Sequence, residues 1–212
     1  MPDPNVAPPP AFRRAVTSLG ALCPRPELVV SPLAAPPRLA PWTWAMEVEV
    51  ADSVLGRTSS DFGADDDVDE PDTSGRLILL HDPAGQDAWE GTFRLVCFVQ
   101  ARLEPEQLGD EMMPVVGWSW LTEALDACGA EHTALGGTVT QTSSVRFGDI
   151  AGPRRDDDVE LRASWTPVWT PAGPDGPDGP DLAPHGAAFC SFVASAAGLP
   201  PVGAVPLVHR TV

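Results

Sequence analysis

Three stretches of the chain place apolar residues at every second position, with charged or polar residues among those between. Trp44, Met46, Val48 and Val50 are separated by Glu47 and Glu49. Phe93, Leu95, Cys97 and Val99 are set against Arg94, Gln100 and Arg102, and Val159, Leu161, Ala163 and Trp165 against Glu160 and Arg162. Successive side chains of a strand point to opposite faces, so a chain that repeats this pattern builds a sheet with one apolar face and one wet face. The apolar face must be covered by something else.

Three segments with helical spacing supply the cover. Residues 11–22 place Phe12, Val16, Leu19 and Leu22 on one stripe. Residues 114–128 begin with Pro114, which suits a first helical turn, and carry Trp118, Leu121, Leu125 and Cys128 before the stop signal of Gly129. Residues 185–198 line up Phe189, Phe192, Val193 and Ala196. Between them, 76–81 (RLILLH) forms a short apolar strand and 82–87 (DPAGQD) has turn residues. Residues 135–147 return to strand alternation, with Thr138, Thr140, Thr142, Ser144 and Arg146 on one side. The expected fold is therefore α+β in the order α-β-β-β-α-β-β-α, a mainly antiparallel sheet with helices on one face. This order resembles that of the small secretion-chaperone-like folds.

Composition marks what does not join the core. The chain has 212 residues, 30 acidic against 13 basic, and a formal net charge of −17; every basic residue is Arg. Residues 61–72 hold seven acids and no base, so 57–74 reads as a mobile acidic loop. Three Gly-Pro-Asp triplets at 173–181 make 170–183 a stiff linker. These two segments carry ten of the 30 acids. Residues 1–10 are expected to be disordered, 11–201 to form one domain, and 202–212 to be a tail.

Residues 1–14 contain no apolar core of a secretory signal. The uncharged run between Asp181 and Arg210 is broken by prolines, and its Pro-free part, 185–199, falls short of the roughly 20 residues a span needs. Cys23, Cys97, Cys128 and Cys190 form no CxxC pair, so reduced thiols are expected rather than a metal site. The chain reads as cytoplasmic, without membrane contact, cofactor or metal.

The phrases GRLILLHDPAGQDAWEGTFRLV (75–96), WSWLTEALDACGAE (118–131), GGTVTQTSSVRFGDIAG (136–152), ELRASWTPV (160–168) and AGLPP (197–201) together resemble an actinobacterial family of unknown function. The resemblance runs from about Phe12 to Pro201. It implies no activity and no catalytic residue. Members of that family are often encoded near a ribonuclease-D-like exonuclease, which implies a role beside RNA metabolism.

Catalytic motifs are incomplete. Gly117-Trp118-Ser119-Trp120-Leu121 lacks the second glycine of a nucleophile elbow, and Gly136-Gly137 is not followed by a phosphate-binding GK[ST]. Asp65, Asp67 and Asp69 open like a calcium loop, but Glu70 and Arg76 stand where Gly and Glu are needed. The catalytic candidates are His81, Asp82, Asp87 and Glu90, an imidazole beside carboxylates at a strand end. Their structural alternative is a capped turn with a partly buried histidine. The wet sheet face should present Glu47, Glu49, Arg94, Arg102, Arg146, Glu160 and Arg162, either as solvated ion pairs or as a docking surface for a protein or a second copy. Trp118 and Trp120 project about 200° apart on a helix, so one packs outside the main stripe, in a second core layer or against a partner.

The function expected on these grounds is a non-enzymatic protein-binding module, adaptor-like or chaperone-like. The alternatives are a ligand binder or enzyme at 81–90, and an RNA-linked accessory protein using Arg94, Arg102, Arg146 and Arg162. With a net charge of −17, direct nucleic-acid binding is not expected.

Overall fold

The computed structural model describes residues 7–51, 73–103, 109–150, 155–170 and 179–203. The acidic run 61–72 and most of the Gly-Pro-Asp repeat lie outside them. The elements are α1 (Pro10–Gly20), β1 (Leu28–Leu33), β2 (Trp42–Val50), β3 (Thr73–Gln86), β4 (Gly91–Arg102), α2 (Met113–Ala127), β5 (His132–Val145), β6 (Arg155–Pro167) and α3 (Ala183–Ala196). The expected α+β order is present, with β1 preceding the first strand read from the sequence. α1 begins within the segment expected to be disordered, β3 within the expected acidic loop, and α3 at the end of the expected linker.

The six strands form one sheet in the order β1-β2-β3-β4-β6-β5, every pair antiparallel. Register brings one parity of each strand to a common face. Met46 faces Leu77, Leu77 faces Cys97, and Cys97 faces Ala163 across four strands. All three helices lie on this inner face. Phe12 and Leu19 of α1, Leu121 and Leu125 of α2, and Phe189, Phe192 and Val193 of α3 join the strand residues in a single core.

Two close approaches shape that layer. A side chain at Gly75 would meet Phe189 at 2.9 Å, and one at Gly137 would meet Trp118 at 2.8 Å. Glycine at these strand positions lets α3 and α2 come down onto the sheet. Trp118 thereby covers β5. Trp120, pointing the other way, packs into a second cluster with Ala101, Leu103, Met113 and Val159. The divergent tryptophans are both accommodated within the chain.

The turn between β3 and β4 sits later than Pro83 and Gly85 imply. Residues 82–85 form an irregularity inside β3, where pairing shifts between His81 and Gln86, and the reversal is a 3-10 turn at Asp87–Trp89. Pro83 has no N–H to offer a ladder, and the Asp82 carboxylate accepts the N–H of Ala84 at 3.0 Å instead. Glu90 closes the turn in the left-handed region, φ 56°.

The four cysteines are free thiols. Burial raises Cys97 to about 12 and Cys190 to about 11, so neither is a thiolate at neutral pH.

α3 is tied to β6 by a buried hydrogen bond in which Trp165 Nε1–H donates to His185 Nδ1 at 3.1 Å. His185 must therefore be neutral at Nδ1, with its proton on Nε2. Burial is the main reason that its pKa falls to about 4, with the charge of His132 acting in the same direction. An unfolded histidine titrates near 6.5, so between these two values the unfolded chain binds more protons than the folded one. Stability is then fully present above about pH 6.5 and is lost as pH falls toward about 4, by about 3 kcal/mol at most. Urea unfolding across this range should show that slope, and His185→Gln should flatten it; an unchanged slope would show that His185 does not contribute it.

Candidate interaction surfaces

The residues expected to form an acid–base group at 81–90 do not converge. His81 and Asp82 are neighbours on a strand and point to opposite faces. His81 is buried in the core layer, its ring stacked 4.1 Å from that of Phe93 and 6.0 Å from that of Phe12. Its Nδ1–H donates to the carbonyl of Thr92 at 2.9 Å, and burial lowers its pKa. Asp82 holds the irregularity in β3, accepting from Ala84 and, at 3.2 Å, from Gln86 Nε2. Asp87 is exposed in the 3-10 turn, and Glu90 accepts from Thr133 Oγ1 at 3.1 Å. The arrangement is that of a braced turn. Among the described residues, no three His, Cys, Asp or Glu side chains are grouped to hold a metal ion.

The outer sheet face carries no helix among the described residues, and it is more apolar than alternation implies. Leu33, Ala45, Ile78 and Val96 lie in one cross-strand row by register. Leu80 and Phe98 flank it on β3 and β4. Ala45 and Leu80 are buried, while Leu33, Ile78, Val96 and Phe98 are half-buried. The signal was present as the unbroken runs LILL (77–80) and LVCFV (95–99), which mark central strands apolar on both sides.

Of the charged residues expected on this face, Glu47, Glu160 and Arg162 frame the apolar row in ion pairs, Glu47 with Arg76, which is not among those expected. Arg76 Nε donates to Glu47 Oε1 at 3.1 Å, and Arg162 Nε to Glu160 Oε1 at 2.6 Å. The Arg162 guanidinium also lies 5.3 Å from the centre of the Phe98 ring, within reach of a cation–π contact. Glu49 pairs in register with Ser74 and Val29. Arg102 ends β4 and has interactions of its own, as does Arg146, which stands just beyond the last residue of β5.

Arg94 differs from the others. Its guanidinium donates to Ala134 O at 2.9 Å, Thr166 Oγ1 at 3.2 Å and Ser164 Oγ at 2.7 Å. Ala134 has φ 50° and lies where β5 slips register against β6. Arg94 thus reaches from β4 across β6 to brace the bulge of the edge strand. Burial lowers its pKa, with Glu90 opposing the shift, and the group remains charged. The sequence placed this residue on the right face, but its long-range partners made it a brace.

A groove of about 450 Å³ runs between the α1–β1 connection and the C-terminal half of α3, lined by Leu22, Cys23, Arg25, Cys190, Ser191 and Leu199 among others. Arg25 pairs with Glu27 at 3.0 Å and donates to Pro200 O at 2.8 Å. Its charge is therefore used to tie the groove wall together.

Fold and surface together define an α+β protein whose described helices all lie on one face of the sheet, the other face being mixed apolar and charged. The chain belongs to the family described as "Protein of unknown function (DUF3000)", whose model matches residues 8–205. No curated protein and no solved structure matches the chain. No helix among the described residues is long and apolar enough to cross a membrane.

The bracing by Arg94 is testable. Arg94→Ala should lower stability by about 2 kcal/mol, the scale of hydrogen bonds to a charged group. Arg94→Lys should recover little of it, because one ammonium cannot span three acceptors in a planar fork. Urea unfolding measures both, and an Arg94→Ala protein as stable as the parent would remove the role.

Proposed function

We propose that the protein is a non-enzymatic protein-binding module whose docking surface is the outer face of the sheet. The observation that carries this reading is the apolar row Leu33–Ala45–Ile78–Val96, with Phe98 beside it, on a face that bears no helix among the described residues. Interfaces of this kind have an apolar centre and a polar rim. Here Glu47–Arg76 and Glu160–Arg162 supply the rim on either side, and their mixed signs favour a protein partner over a polyanion. The adaptor-like or chaperone-like role is read from this surface.

The two alternatives find less support. His81 and Asp82 are engaged on opposite faces of β3, which offers no acid–base pair at the turn. The arginines that would make an RNA patch are occupied: Arg94 by β5 and β6, Arg162 by Glu160, and Arg102 and Arg146 by their own contacts.

A photo-crosslinking residue placed at Ile78 or Phe98, in protein expressed at native level, should give a discrete protein adduct. The same residue at Ser195 on α3 should not. Phe98→Asp should abolish the adduct formed from position 78 while leaving the melting temperature within a few degrees. Equal labelling from Ser195, or no adduct from either sheet position, would overturn the proposal.

A further inference from the structure

The two edges of the sheet are built differently. β1 is six residues long and carries Pro32, features that discourage strand addition. β5 is 14 residues long, and from Thr133 to Val145 it contains no proline and no charge. Its straight part, Gly136–Val145, is exposed except at Val139, which is half-buried. A long, neutral, β-prone edge of this kind is what soluble proteins normally blunt with charge, proline or a covering element.

Apolar surface gathers on the same flank. Of the nine large hydrophobic side chains exposed among the described residues, five are Met112, Val115 and Val116 around the start of α2, and Val145 and Phe147 at the end of β5. Phe147 is 77% exposed. The start of α2 lies over the middle of β5, with Gly117 against Val139 and Trp118 against Gly137. The edge strand and the exposed side of the helix therefore form one two-layered flank.

We propose that this flank binds a second copy of the chain, with β5 pairing antiparallel to β5 of its partner. A two-fold axis normal to the sheet brings a strand against itself in the antiparallel sense, continuing the pattern of all six strands. The inference goes beyond the outer-face reading and stands without it.

Three features favour a second copy over a lone peptide strand. First, a two-fold normal to the sheet near the middle of Gly136–Val145 keeps both α2 helices on the same side of the joined sheet and brings their first turns, which lie over Gly137 and Val139, toward one another. Their exposed valines then cover one another, which an added strand alone would not achieve. Second, Thr138, Thr140, Thr142 and Ser144 would face the same row of the copy, a cross-strand pairing that threonine favours. Two chains of net charge −17 would meet through a strip without like charges.

Third, the size is sufficient. Ten paired residues span about 34 Å, and sheet plus helix give a depth of about 20 Å. The strip is thus about 700 Å² per copy, close to the roughly 800 Å² per partner of a standard interface.

Sedimentation velocity of the full chain, from about 1 to about 100 μM, tests this. The expected result is a concentration-dependent dimer. Thr140→Lys with Thr142→Lys, and separately Val116→Glu, should each weaken it at least about tenfold, with an unchanged circular dichroism spectrum. Phe98→Asp on the outer face should leave it intact. A monomer throughout the range overturns the proposal, as does a dimer that survives both β5 and α2 variants or dissociates with Phe98→Asp. Hydrogen exchange of the parent protein provides a readout that needs no variant. Amides of 136–145 should gain protection as concentration rises, and protection independent of concentration would count against β5 pairing.

Discussion

Contact between α3 and the centre of the sheet is the interaction from which the remaining architecture follows. Phe189, Phe192 and Val193 are buried against β3 and β4, in a layer with Leu77, Leu95, Cys97 and Val99. The approach depends on Gly75, where any side chain would collide with Phe189 and Val193. With α3 seated over the middle, α1 and α2 fill the flanks of the same face. Apolar area removed from water contributes roughly 25 cal/mol per Å², so three helices with apolar stripes gather where the deepest apolar layer lies. No helix among the described residues lies on the opposite face.

That asymmetry decides what the polar residues do. On the inner face a polar group must find a partner, because an unsatisfied buried group costs about 1–3 kcal/mol. His81 meets the Thr92 carbonyl, and His185 accepts from Trp165. Burial lowers the pKa of both histidines, and each is held by one structural hydrogen bond. On the outer face the charges can remain hydrated, and their pairs contribute little individually. Arg94 is the exception, since it donates to Thr166 and Ser164 of β6 and, across that strand, to Ala134 in the bulge of β5.

How much of this could be read in advance follows from range of interaction. The alternation in 44–50, 89–103 and 158–166 predicts which side of each strand is buried, and β2, β4 and β6 have that parity. β1 carries little signal of its own, because VVSP is short and Pro32 argues against a strand; only the edge position makes the proline acceptable. Pro83 and Gly85 predict a turn at 82–87, yet Asp82 and Gln86 hold those residues within β3 and the chain reverses at Asp87–Trp89. The candidate group at 81–90 was a proximity in sequence. A strand separates adjacent residues onto opposite faces, so that proximity did not become a site.

Local periodicity by itself determined the α+β class, the helices and the apolar parity of the strands, because these depend on side-chain spacing along a few residues. The order β4-β6-β5, the occupation of Arg94 by residues 40 to 72 positions away, and the burial of His185 beneath Trp165 belong to the tertiary structure. Each requires segments distant in the chain to meet, and no short-range pattern encodes which partner a hydrogen bond will find. The apolar row on the outer face stands between the two. Its residues are visible as unbroken runs, but only strand register lines them up across the sheet.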